Sequence, residues 1–118
     1  MLLEIPVEPI RPGYPYLVSL LFPLDFWEVE ALATGRMVAH FRLTVGGTLL
    51  HTADSDEGAI ARDAAERRLD IALPAEATKA FTEARVVFDF ARIDPGGGQR
   101  AVPGLYDFPV KQAVTRDV

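Results

Sequence analysis

A chain of 118 residues that is 49% hydrophobic and 25% charged can close one core, and is too apolar to remain disordered. Its net charge of -5 argues against a duplex-DNA binder, which needs clustered Lys and Arg for the phosphates. The absence of cysteine excludes disulfides, thiolate metal sites and cysteine nucleophiles.

Pro6, Pro9, Pro12 and Pro15 recur at every third position of the N-terminal stretch. A polyproline II helix has about three residues per turn, so these rings line one edge of an extended segment whose entropy is already low. Two readings follow for residues 1–15: an arm that lies along a neighbouring subunit, or a lead-in that packs on its own domain. The opening MLLEIPVEPIRPG lacks the basic start of a secretory signal. The apolar run Tyr16–Leu24 falls short of the about 20 residues a membrane helix needs. The expectation is a soluble protein made in the cytoplasm, with no membrane partner.

Tyr16–Phe22 is apolar at almost every position, which predicts a strand buried on both faces, either inside the fold or against a partner, with a central core strand the favoured reading. Asp25 with Glu28 has the spacing of a capping box, Leu24 with Val29 that of a hydrophobic staple, and Gly35 can close the turn, so a short helix is expected over 26–33. Trp27 beside the cap reads as a packing residue rather than a ligand-stacking one.

Gly46-Gly47 between two apolar-rich runs predicts a two-residue hairpin. That turn sets Val45 against Thr48, Leu43 against Leu50 and Phe41 against Thr52 on the inner face. His40, Arg42 and Thr44 then share the outer face with Ala53, His51 and Leu49. Two histidines on one face raise the question of a metal, but a zinc site wants three or four ligands and spacing supplies no third. Asp54, Asp56 and Glu57 lack the ligand spacing of a calcium loop and read as an acidic turn. Residues 59–68 read as a strand near 59–62, a turn over 63–66, and a strand opening at 67.

Leu69, Ile71 and Leu73 alternate with Asp70 and Ala72 as in a strand with one apolar face. Pro74 opens a short helix, 74–82, whose Ala77 and Phe81 face the core. Val86, Phe88 and Phe90 give the next strand its inner face. Asp94–Gly98 is a five-residue turn that pairs Phe90 with Val102 and Val86 with Tyr106. Pro103 and Pro109 place the closing strand at a sheet edge or at bulges, because proline cannot donate to a ladder.

No nucleophile elbow, phosphate loop, zincin helix or dinucleotide glycine pattern is present, and Ser19 and Ser55 are the only serines. An enzyme is therefore not expected, and neither a cofactor nor a metal.

The run Leu69–Phe81, then Val87-Phe88-Asp89-Phe90, Gly104–Val110 and Val114-Thr115-Arg116, resembles a small β-domain of tailed-phage structural proteins. It is similar to the N-terminal domain of phage baseplate upper proteins and to tail or fibre-attachment modules. The resemblance implies a virion protein that holds subunits together, with other virion proteins or itself as partner and no nucleic acid. The fold expected is mainly β: an antiparallel β-sandwich-like domain over 16–118, preceded by the arm. The docking residues expected are Pro6, Pro9, Pro12 and Pro15 on the arm, with Leu105, Phe108 and Val110 on the closing strand. The other reading is a non-catalytic carbohydrate-binding module that uses Trp27, Tyr14, Tyr16 or Tyr106.

Overall fold

The computed structural model describes residues 9–111. The elements in chain order are β1 (Tyr16–Leu21), α1 (Leu24–Val29), β2 (Arg36–Arg42), β3 (His51–Asp54), a 3-10 turn (Ser55–Glu57), β4 (Ile60–Asp63), β5 (Arg68–Leu73), α2 (Ala75–Thr78), β6 (Arg85–Ile93) and β7 (Gln99–Pro109). They form two antiparallel sheets, β1-β5-β4 and β3-β2-β6-β7, which share one core in a sandwich-like arrangement. The chain is mainly β, as its alternating segments foretell.

Core geometry follows from strand alternation. Val18 and Leu20 of β1 and Leu69, Ile71 and Leu73 of β5 line the inner face of one sheet. Met37, Ala39 and Phe41 of β2 and Val86, Phe88 and Phe90 of β6 line the other. Phe88 sits at the centre of the aromatic packing, with ring centroids 4.6 Å from Phe41, 5.2 Å from Tyr106 and 5.6 Å from Phe108. Phe81, which follows α2, is fully buried and stacks on Phe41.

Several expectations need correction. β1 is not a central strand of its own domain. It is an edge strand whose Val18 and Leu20 point in, while Leu17 points out and is 57% exposed. The strand buried between neighbours is β5, so an unbroken apolar run does not here mark the centre of a sheet. α1 starts earlier than expected, after Pro23, and Asp25 lies inside its first turn rather than at the cap. α2 is a single turn over Ala75–Thr78, shorter than the span expected from the spacing of Ala77 and Phe81.

The β2–β3 connection is wider than a two-residue hairpin. Gly46-Gly47 belongs to a turn in which Gly47 N–H bonds to the Thr44 carbonyl at 3.0 Å, and pairing resumes only with Phe41 opposite His51. This register is one residue from the expected one. A slip of one residue carries a side chain to the opposite face, so His51 is on the face of Phe41, away from His40.

The β4–β5 turn lies at 64–67, one residue later than expected, and the five-residue loop after β6 falls where the sequence puts it, since Ile93 pairs with Gln99. Phe90 pairs with Val102 as expected. Beyond that point a bulge at Pro103-Gly104-Leu105 shifts the register, so Val86 meets Phe108 rather than Tyr106. The shift is by two residues, which preserves the apolar face. Gly104 adopts φ +120°, a conformation that favours glycine.

Candidate docking edges

The proximal arm is held by its own domain. Ile10 is fully buried and forms a parallel bridge with Val110; its N–H donates to the Pro109 carbonyl and its carbonyl accepts from Lys111 N–H, both at 2.9 Å. One turn later Thr78 of α2 fixes Gly13 and Tyr14. The threonine Oγ1 accepts from Gly13 N–H at 3.0 Å and donates to the Tyr14 carbonyl at 2.9 Å. Pro12 is buried, Pro9 half-buried and Pro15 exposed, while Pro6 lies outside the described residues. Of the closing-strand candidates, Phe108 and Val110 are buried in the core of their own chain, and only Leu105, 53% exposed, is open to a partner. Alternation explains the split: an edge strand still has an inward face, and Phe108 lies on it.

β7 is the outermost strand of its sheet, as its prolines foretell. Leu105 stands on the bulge beside a shallow hollow lined by His40, Arg42, Val45, Val87 and Asp89. His40 pairs across the sheet with Asp89, and Arg42 with Val87. Val45, 72% exposed, adds a second apolar group at this rim. Arg85 and Asp107 form an exposed ion pair farther along the strand, with Nε to Oδ1 at 2.6 Å.

β1 forms the other conspicuous edge. Beside Leu17 an open apolar hollow of about 400 Å³ is lined by Pro15, Tyr16, Leu17, Ala72, Leu73 and Pro74. Ser19 on the same outer face donates to Asp70 at 2.7 Å.

The titratable groups with shifted pKa values have structural causes. Hydrogen bonds from Arg36 hold the Asp54 carboxyl below the usual range, and Asp54 also accepts from Asp56 N–H at 3.0 Å as the cap of the acidic 3-10 turn. Burial lowers His51, whose Nε2 is buried with no hydrogen-bond partner among the described residues. Burial raises the Tyr106 phenol to about 12. Burial and the charge of Arg92 lower Arg62. Among the described residues no group of three or more His, Asp or Glu is placed to hold a metal ion. Trp27 and Tyr106, two of the aromatic residues considered for sugar stacking, are 5% and 3% exposed and belong to the core.

Leu17, Thr78, Arg62 and Arg92 escaped the sequence reading. Arg92 continues the inward series of Val86, Phe88 and Phe90, and that parity was the available signal for its burial.

Compared with known family models, curated proteins and solved structures, the chain has no match in any of the three.

Proposed function

We propose that this chain is a structural or adaptor protein of a tailed phage or phage-like particle, a tail, baseplate or fibre-attachment component that works by docking subunits. The observation that carries the proposal is Leu105, an exposed leucine raised on the bulge of the outermost strand. Isolated exposed leucines are common, but Leu105 adjoins Val45 and a rim that holds both a cation, Arg42, and an anion, Asp89. An apolar centre with a charged rim is the usual anatomy of a protein interface. The resemblance of Leu69–Arg116 to phage tail modules supplies the particle context.

The test is proteomics of purified tailed particles from the organism that encodes the chain, with wild type and Leu105→Asp compared. The chain is expected among the particle proteins, with the variant, shown to be folded by its circular dichroism and melting temperature, depleted from them. Absence of the wild-type chain from the particles, or undiminished incorporation of a folded Leu105→Asp, overturns the reading.

A further inference from the structure

Among the described residues, no strand pairs with the outer edge of β1. Ala72 N–H donates to the Ala59 carbonyl, on the β4 side of β5. In an antiparallel ladder one residue's N–H and C=O point the same way, so Leu69, Ile71 and Leu73 are the β5 residues that bond toward β1. Their register partners are Leu20, Val18 and Tyr16, and Phe22 N–H keeps the parity by donating to the Arg67 carbonyl. The N–H and C=O groups of Leu17, Ser19 and Leu21 therefore point away from the sheet.

Proteins protect such edges with prolines, charges, bulges or short strands. The other edge strands follow this rule. β3 and β4 are four residues each and contain Asp54, or Arg62 and Asp63. β7 has two prolines, a bulge and the Ile10 bridge. β1 has none of these, and residues 12–24 contain no charged side chain.

The segment is also self-complementary about Ser19. Antiparallel pairing of β1 with itself, with Ser19 opposite Ser19, matches all three outward-bonding residues, because Leu17 meets Leu21 of the second copy and the reverse. Neighbouring registers leave one of the three unmatched. Charges flank the segment with opposite sign: Arg11 before it, Asp25 and Glu28 after it. A two-fold axis brings each end toward its opposite.

The geometry points to a second copy of this chain as the occupant of this edge: a two-fold homodimer in which the β1 strands pair antiparallel with Ser19 on the axis, joining two three-stranded sheets into one of six. Backbone bonds supply affinity and the leucine pairs supply register. Such a contact is isologous and closes on itself, so it yields a dimer and not a filament. It does not rest on the virion reading: loss of this dimer leaves the Leu105 experiment untouched.

Sedimentation equilibrium of the whole chain across nanomolar to high-micromolar concentration should give twice the 12.9 kDa chain mass at the upper end. Leu17→Lys, at a surface position that the fold does not need filled, should sediment as a monomer throughout. The cysteine-free background makes Ser19→Cys a clean probe. Mild oxidation should cross-link it, while Ala61→Cys, exposed on β4 at the far edge of the same sheet, should not cross-link. Hydrogen exchange of wild-type protein needs no variant: the Leu17, Ser19 and Leu21 amides should gain protection as concentration rises.

A wild-type monomer at all concentrations overturns the proposal, as does a dimer that Leu17→Lys leaves intact. A dimer that Leu17→Lys dissolves, but in which the three amides exchange freely, overturns strand pairing as its basis. Protection of those amides only when a different protein is added overturns the second copy as occupant.

Discussion

Thr78→Val tests whether the arm is bound by its own domain. Thr78 is fully buried, and its hydroxyl meets Gly13 N–H at 3.0 Å and the Tyr14 carbonyl at 2.9 Å. Valine keeps the shape of the side chain and deletes only the hydroxyl. Removing one partner so that a buried polar group loses its bond costs about 1–3 kcal/mol. Both groups belong to one half-buried turn that water can partly reach, so the total expected is about 2 kcal/mol. For a domain of this size that lowers Tm by about 8 °C. Thr78→Ser keeps the hydroxyl and deletes one methyl, worth about 0.8 kcal/mol, so it should melt only about 3 °C below wild type. Calorimetry measures both shifts, and hydrogen exchange reads the Gly13 amide directly. That amide should lose protection in the valine variant and keep it in the serine variant, at any protein concentration, because the bond is made within one chain. A valine variant that melts with the wild type and retains Gly13 protection would refute the assignment. So would Gly13 protection that depends on protein concentration, which would make the arm a contact between subunits.

Three further outcomes follow from the same packing. Gly35→Ala should destabilise by more than about 3 kcal/mol, since φ is +86° and the new Cβ lies 2.9 Å from both Arg92 Cζ and the Ile93 carbonyl oxygen; Gly96→Ala, which meets nothing, should change the unfolding free energy read from denaturant titration by under about 0.5 kcal/mol. His51 is lowered from 6.5 by burial, so the unfolded chain binds its proton first, and stability should fall as pH drops below 6.5; His51→Phe should flatten the dependence of Tm on pH between neutrality and pH 5 or so, and an unchanged slope would remove burial of the imidazole as its cause. Asp54 is lowered from 3.8 by Arg36, so its contribution is complete above that value and vanishes as pH falls through the lower folded one; Asp54→Asn should shift acid unfolding to higher pH by removing the charged bond at neutrality, and an unmoved acid midpoint would show that the ion pair contributes nothing.

The parts of the fold legible in the sequence were those governed by local alternation and turn chemistry. β5, β6 and the Asp94–Gly98 loop are specified by residues next to each other in the chain, and the structure has them where the pattern puts them. What stayed hidden was decided by neighbours distant in sequence. β1 looks like a central strand because nothing within Tyr16–Phe22 records that only one side finds a partner. The Gly46-Gly47 signal promised a tight hairpin, but Arg42 Nε bonds to the Gly47 carbonyl at 3.0 Å and the loop folds back on itself, so the strands part at Arg42. The candidate docking residues divide in the same way. Parity alone separates buried Phe108 from exposed Leu105 only once the bulge is known, since the bulge resets which residues face out.

The loop that follows α1 shows what ties the two sheets together apart from the shared core. Arg62 of β4 donates to the Leu32 carbonyl at 2.7 Å and to the Gly35 carbonyl. Arg92 of β6 donates to the Ala31 and Thr34 carbonyls at 2.8 and 2.9 Å and pairs with Asp94. Arg100 of β7 takes the Glu30 carbonyl at 2.8 Å. Backbone carbonyls of a loop that runs between sheets must find donors, and here three guanidinium groups from strands in both sheets bond those of Glu30, Ala31, Leu32, Thr34 and Gly35. Arg92 is close enough to disfavour the charge on Arg62, a cost that the carbonyl oxygens bound by Arg62 offset. The edges proposed for docking, β1 and β7, belong to different sheets. A partner that binds either edge therefore docks on a sheet that these guanidinium bonds fasten to the loop shared with the other sheet.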